Sequence, residues 1–232
     1  MTTDPVIEMQ DVVAAYNGAA ALTGVSLCVR AGECVALAGA NGAGKTTLLT
    51  AVNGFAPLVS GTVRVLGMKP HGRNAVRVRR RVGYVAQTAP LDRRMPITLM
   101  ESVMTGVYGR LGWRQRPSQD ERTRVLAMLE ELQLSHLSER PLGHLSGGET
   151  RRAMIARCLA QQPEIMLLDE PTASLDKTSC AIIMNVMERT HCTAGTTILW
   201  VTHDLDALPP GCARLLRMQN GAIVADTGWP PA

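Results

Sequence analysis

Gly39-Ala40-Asn41-Gly42-Ala43-Gly44-Lys45-Thr46 is the feature that most narrows what this chain can become. The spacing G-x-x-x-x-G-K-[ST] frees backbone N–H groups to converge on phosphate oxygens. The lysine reaches the terminal phosphates of a nucleotide, and the hydroxyl can join a Mg2+ shell. From average composition, such a pattern arises by chance in roughly one chain in a hundred of this length. Here it also has its required surroundings: the apolar run 33–39 reads as a strand, and 45–53 has helix character. Strand, glycine loop and helix together predict an α/β layer with a phosphate at the helix start.

Upstream, residues 6–16 partly alternate and read as a strand. Residues 24–30 read as another, followed by a turn at Ala31-Gly32. Residues 61–67 and 81–87 add two more. From Pro96 to about Leu142 the pattern is helical. Ser118 to Glu121 spell a capping box, and Val125, Met128, Leu129 and Leu132 form an apolar stripe at helical spacing. A helix over about 147–161, a buried strand at 165–169, a helix near 177–190 and a strand at 196–203 follow. The chain closes with a hairpin turning at Asn220-Gly221. We expect an α/β protein with antiparallel strands early, a helical block in the middle and α/β alternation late. Residues 1–232 read as one domain, with the block at about 88–160 forming an inserted helical subdomain.

A chain of 232 residues can bury a full core without disulfides or metals. Its cysteines, at 28, 34, 158, 180, 192 and 212, form no C-x-x-C pair and read as reduced, mostly buried thiols. His191-Cys192 lacks companions at metal-ligand spacing. No apolar run approaches the ~18 residues of a membrane span. The first ten residues have neither a basic nor an apolar leader segment, so a soluble, intracellular chain is expected. Arginines cluster at 73–84 and 108–117. Each cluster reads as a solvated face or as a docking surface for a membrane partner. One Phe, three Tyr and three Trp leave little surface for stacking bases, so no nucleic-acid partner is expected.

Residues 165–171, Ile-Met-Leu-Leu-Asp-Glu-Pro, are an apolar strand ending in two carboxylates. Beside a phosphate loop, Asp169 suits Mg2+ and Glu170 suits the attacking water, a division of labour that fits hydrolysis better than binding alone. His203 ends another core strand, where it can face the γ-phosphate, and Gln87 ends a third. Ser146-Gly147-Gly148-Glu149 is a second glycine-rich helix start, itself a capping box. It also leaves amides and a positive dipole end pointing outward. One cradle already grips the nucleotide's near side, so the second suits the far side of a phosphate held by another copy of the chain.

The order of the glycine loop, Val-Ala-Gln at 85–87, Leu-Ser-Gly-Gly-Glu at 145–149, Met-Leu-Leu-Asp-Glu-Pro at 166–171, Ser-Leu-Asp at 174–176 and Val-Thr-His at 201–203 resembles the ATP-binding subunits of ABC transporters. The resemblance runs over about residues 5–227. It implies a P-loop NTPase cassette with a RecA-like core, an antiparallel β subdomain and a helical subdomain. It implies ATP and Mg2+ as cofactors. Tyr16 is then the adenine-stacking aromatic, and Gly39 to Thr47, including Lys45, Thr46 and Thr47, are the Walker A loop. Gln87 is the Q-loop residue near Mg2+ and the membrane subunit, and Leu145 to Glu149 are the signature. Asp169 and Glu170 are the Walker B pair, Asp176 the D-loop aspartate and His203 the switch histidine. The catalytic set implied is Lys45, Gln87, Glu170, Asp176 and His203, with Thr46, Gln87 and Asp169 holding the metal. Two cassettes pair head to tail, each signature completing the other's ATP site.

Residues 92–121, with Pro-Ile-Thr, Gly-x-Tyr-Gly and Gly-Trp followed by basic residues and Pro-Ser, resemble the segment after the Q-loop in ATPases of zinc and manganese importers. That implies ATP hydrolysis at the inner face of a membrane, with permease subunits and an extracytoplasmic metal-binding protein as partners. Another cargo, export, or an ABC ATPase acting on ribosomes or DNA are the alternatives. Two positions depart from the family pattern. Ala40 stands where proline is frequent, and is expected to be neutral. Glu149 stands where glutamine is usual, placing a carboxylate near a polyphosphate. A capping box would turn that carboxylate back to the Ser146 N–H.

Overall fold

A computed structural model of the chain describes residues 5–87, 94, 96–112, 114–205, 208–209 and 211–228. Its strands form two sheets. In the first, β1 (Pro5–Tyr16) lies between β2 (Ala19–Arg30) and β4 (Leu58–Val65), all antiparallel. The second has the order β5 (Val82–Val85), β6 (Ile165–Asp169), β7 (Thr197–Thr202), β3 (Cys34–Ala38), β8 (Arg214–Gln219), β9 (Ala222–Gly228). Its pairings are parallel except that of β8 with β9. The Ala31-Gly32 turn joins the two sheets, with Gly32 at φ 74°.

The residue patterns explain this division. Every residue of β3, β6 and β7 is buried, as continuous apolar strands covered on both faces must be, whereas β2 alternates. The second sheet separates two cores with a period of two. Ala36, Met166, Leu168, Ile198 and Trp200 face the core shared with the helical block. Val35, Leu37, Ile165, Leu167, Leu199 and Val201 face the core shared with the first sheet.

Helix α1 (Lys45–Val52) follows the glycine loop, and the short α2 (Ala75–Arg81) precedes β5. The helical block contains α3 (Leu99–Leu111), α4 (Gln119–Glu131) and α5 (Gly147–Ala160); α6 (Lys177–Ala194) follows β6. Two glycines let α5 approach its neighbours closely. A Cβ at Gly83 of β5 would collide with Cys158 Sγ, and one at Gly106 of α3 with the Arg157 carbonyl. Of the predicted stripe on α4, Val125, Leu129 and Leu132 are buried and Met128 packs against them.

Three local expectations change. The capping box at Ser118 is half made: Ser118 accepts the Glu121 amide at 3.3 Å, but the Glu121 carboxylate binds Arg110 at 2.5 Å instead of turning back. A charge-assisted bond outcompetes a neutral amide. A full box stands instead at Thr98 and Glu101, opening α3. Cys34, Cys158 and Cys212 are buried, but Cys28 and Cys192 are exposed and Cys180 is half-buried, so only part of the thiol set is core. The arginines of the first cluster part company. Arg79 stacks 3.9 Å over Phe55 and donates to the Asn53 and Gly54 carbonyls, while Arg81 pairs with Glu164. Arg80 lies over Gly112, which brings the two clusters together. Within the 92–121 segment, Asp92, Arg93, Met95 and Trp113 lie outside the described residues. No helix among the described residues is long and apolar enough to cross a membrane.

Candidate functional site

The start of α1 is built for an anion. Its N-cap is Gly44, left-handed at φ 101°, and no side chain caps the helix, so the first-turn amides are left to a ligand. A Cβ on Gly44 would sit 2.6 Å from the Ala21 carbonyl, and one on Gly39 would run into the Met218 carbonyl. Lys45 is buried and its Nζ donates to the Gly39 and Ala40 carbonyls at 2.6 and 3.0 Å, spanning the loop it belongs to. In front lies a cavity of about 410 Å3, lined by Ala21, Asn41, Gly42, Gly44, Lys45, Thr46 and Thr47 together with Gln87 and Glu170. Ala43 is buried beneath the loop.

The strand ends β5, β6 and β7 deliver the acid–base groups. Thr46 Oγ1 donates to Asp169 Oδ2 at 2.7 Å. Burial pushes the Asp169 carboxyl above the ordinary aspartate range, opposed by that hydroxyl and by the charges of Lys45 and Arg151. Glu170 is buried at φ 48°, a left-handed conformation that costs a non-glycine residue about 1–3 kcal/mol and recurs where function demands it. Its Oε2 accepts Gln87 Nε2 at 2.9 Å and lies 3.5 Å from Nδ1 of the exposed His203, just past β7. One carboxylate oxygen thus gathers both residues.

A threonine hydroxyl, a carboxylate and a glutamine amide are the hard oxygen donors that Mg2+ takes alongside substrate phosphates. Among the described residues, no group of three or more His, Cys, Asp or Glu side chains is placed to hold a metal alone.

The second helix start lines none of this cavity. Ser146 and Glu149 form a complete capping box: Ser146 Oγ accepts the Glu149 amide at 3.3 Å, and Glu149 Oε2 accepts the Ser146 amide at 2.7 Å. The backbone bond holds the Glu149 carboxyl below the ordinary glutamate range. The carboxylate is therefore turned back onto its own helix. A Cβ on Gly147 would meet open space; one on Gly148 would press on Ser179 Oγ at 3.0 Å. Asp176 lies here rather than beside Asp169. Its carboxylate caps α6, accepting the Ser179 amide at 2.9 Å and hydroxyl at 2.8 Å, and is held below the ordinary aspartate range by those bonds. Tyr16 stands exposed at the end of β1, outside the cavity lining, while its partner strand β2 supplies Ala21.

Sequence reasoning missed three residues that tie these groups together. Ser179 is buried and links Asp176 to Arg152, whose Nη1 reaches it at 3.0 Å. Arg151 is buried and donates to the Ala86 and Gln87 carbonyls. Both arginines follow the second glycine start directly, a cue that a helical wheel could have raised.

The ABC transporter family profile matches residues 22–173. The manganese transport system ATP-binding protein MntB of Listeria monocytogenes is 38% identical over 198 residues, covering 85% of this chain and 80% of that protein. The phosphonates import ATP-binding protein PhnC 2 of Nostoc is 36% identical over 228 residues, covering 96% and 93%. A solved ATP-binding cassette, dimeric in a post-hydrolysis state with ADP and Pi bound, superposes with a TM-score of 0.86 at 26% identity, covering 97% of this chain and 100% of that one. Phosphate cradle, paired strand-end carboxylates and second glycine start thus agree with independent likeness in sequence and fold: the chain belongs to the ABC transporter family, as a subunit that binds ATP and hydrolyses it to drive transport.

Proposed function

We propose that this chain powers an importer of a divalent metal ion, zinc or manganese, as a head-to-tail homodimer seated on membrane permease subunits. The observation that carries the hydrolytic part is the Glu170 carboxylate, held between Gln87 and His203 at the mouth of the glycine-loop cavity. Residues 1–232 act as one cassette, with about 88–160 as the helical subdomain that meets the permease.

ATP lies with its phosphates on Gly39 to Thr47 and its adenine on Tyr16, while Lys45 turns from the loop carbonyls to the terminal phosphates. Thr46, Asp169 and Gln87 would hold Mg2+, which when bound offsets charge building on the phosphate oxygens. Glu170 accepts the proton of the attacking water, and Gln87 and His203 fix that carboxylate and the water before it. Ser146 to Gly148 of the second copy contact the γ-phosphate from the far side, through first-turn amides that the capping box leaves over. Asp176, capping α6 beside Gly148, joins the catalytic set through that surface of the shared site.

The merged arginine surface around Arg80 and Gly112 and the 92–121 resemblance support a permease partner and a peripheral place on the cytoplasmic face of the membrane. An extracytoplasmic metal-binding protein completes the system. The likeness to the manganese-system protein supports the metal cargo; the nearly equal likeness to the phosphonate-system protein favours a second reading, an anionic organic cargo. Uptake of zinc and manganese by cells lacking the chain, or carrying it as wild type or Glu170→Gln, separates the two. Loss of one metal's uptake, restored by wild type alone, is expected. Undiminished uptake of both returns the cargo to the second reading.

A further inference from the structure

Two of the cysteines meet in the core. Cys34 opens β3 and Cys212 lies two residues before β8. They are 3% and 5% exposed and belong to the same core, on the side of the helical block. β3 and β8 are parallel neighbours, and the Ala213 amide donates to the Cys34 carbonyl at 3.3 Å, which carries the pairing down to these residues. The Cys34 thiol donates to Cys212 Sγ. Neighbouring strands run about 4.8 Å apart, and a disulfide spans Cα separations of about 4.4–6.8 Å. Both thiols are free.

The two sulfurs are chemically unequal. Hydrogen bonding to Cys212, then burial, holds the Cys34 thiol far above its ordinary value. The bond from Cys34, with backbone bonds at Arg214 and Ala36, holds Cys212 below its own despite burial. The thiolate of the pair therefore resides on Cys212, and the thiolate is the nucleophile. A cavity of about 430 Å3 opens beside them, lined by Cys34 itself and by Gly211 and Ala213 on either side of Cys212. Cys158 is the contrast, a core thiol packed under Gly83 and pushed up to about 12 by burial.

We propose that Cys34 and Cys212 form a redox-sensitive latch, which a hydroperoxide closes into a disulfide tying the base of β3 to the lead-in of β8. The Cys212 thiolate attacks one peroxide oxygen and the O–O bond breaks. The leaving oxygen takes up a proton and departs as water from hydrogen peroxide, and Cys212 becomes a sulfenic acid. The Cys34 sulfur then displaces that hydroxyl and gives up its own proton, so the S–S bond forms and a second water leaves. Two electrons have passed from the two thiols to the peroxide, and a dithiol reductant returns them. The same two strands end at the phosphate cradle. β3 runs into Gly39, and the Met218 carbonyl of β8 lies so near that a Cβ on Gly39 would collide with it. Closing the base stiffens the strand pair that carries the loop.

The test treats the reduced, folded chain with hydrogen peroxide, blocks the remaining thiols in denaturant and maps the peptides by mass. Neither hydrolysis nor transport enters the readout. The expected product is a linked Cys34–Cys212 pair, two hydrogens lighter, with Cys158 still reduced. The melting temperature should rise by about 5–10 °C, from loop-closure entropy less the strain of the bond, and fall back with dithiothreitol. Amide exchange along β3 and β8 should slow in the oxidised chain. Cys34→Ala and Cys212→Ala should each abolish the link and the shift, whereas Cys192→Ala should keep both. Cys192 is the competitor, since it is exposed and acts electrostatically on Cys34. A link from Cys192 to either buried thiol, oxidation that stops at a sulfenic or sulfinic acid, or a link that forms only after denaturation overturns the latch. So does a Cys34–Cys212 link that leaves the melting temperature unchanged or lowers it. Mapping the wild-type chain decides the pairing by itself, whether or not an alanine variant folds.

Discussion

The starts of α1 and α5 are both glycine-rich, yet they manage the same physical problem in opposite ways. Each must satisfy amides that no preceding turn can reach. At α1 the chain leaves them to a ligand: a left-handed Gly44, no capping side chain and no acid in the first turn. At α5 it satisfies two of its own through Ser146 and Glu149, and brings an acid to the first turn. The first start keeps its donors uncapped, with Lys45 spanning the loop through the Gly39 and Ala40 carbonyls. The second is self-sufficient and offers only what the capping box leaves over. A helix start that must hold a nucleotide throughout the cycle benefits from open donors. On the shared-site proposal, one that engages and releases a phosphate on a second copy benefits from stability in its absence.

The largest expected difference is in turnover. Ser146→Arg should abolish hydrolysis by the dimer without weakening ATP binding to the isolated chain, and steady-state rates beside nucleotide titrations check it. Lys45→Ala should act at binding itself, lowering the isolated chain's ATP affinity about 100-fold or more through loss of a charge-assisted contact. Equal affinity loss in both variants would erase the distinction between the two starts. Glu170→Gln should lower kcat by about 10²–10⁴, the usual contribution of a general base, while ATP still binds and the dimer accumulates.

A smaller effect concerns the cap. Ser146→Ala should cost about 1 kcal/mol of stability, the worth of an N-cap, and lower the melting temperature by about 2–4 °C for a chain of this size. The smallest is Glu149→Gln, which keeps a side chain able to accept the Ser146 amide; turnover should stay within about threefold. Its signature is in acid instead. Because the Glu149 carboxyl is held below its ordinary value of 4.5, its contribution is fully present above that value and is lost as pH falls through the lowered one. Denaturant titrations across that window should show a shallower loss of stability for Glu149→Gln than for wild type. A many-fold faster ATPase in Glu149→Gln would instead mean that the native carboxylate faces the phosphate.

Much of this was legible because its signals are local. The glycine loop announces itself through spacing and a flanking strand and helix. The Asn220-Gly221 hairpin follows from two residues at ease with φ of 49° and 79°. The turned-back Glu149 follows from the four residues of its box. One local signal was outbid by another side chain: Glu121 left its expected cap for Arg110. Ser179 went unseen because nothing near it in sequence marks it, Arg151 because the carbonyls it reaches lie 65 and 64 residues away, and the need for Gly83 and Gly106 lies in helices that arrive from elsewhere.

The sequence by itself determined the phosphate cradle, the paired carboxylates and the alternation of strands and helices, since sterics and short-range hydrogen bonds act over a few residues. Only the tertiary structure decided which groups meet: Thr46 with Asp169 across 123 residues, and Gln87 with Glu170 across 83. Those meetings depend on the order in which parallel strands pack, and that order is set by burying two separate cores on opposite faces of one sheet.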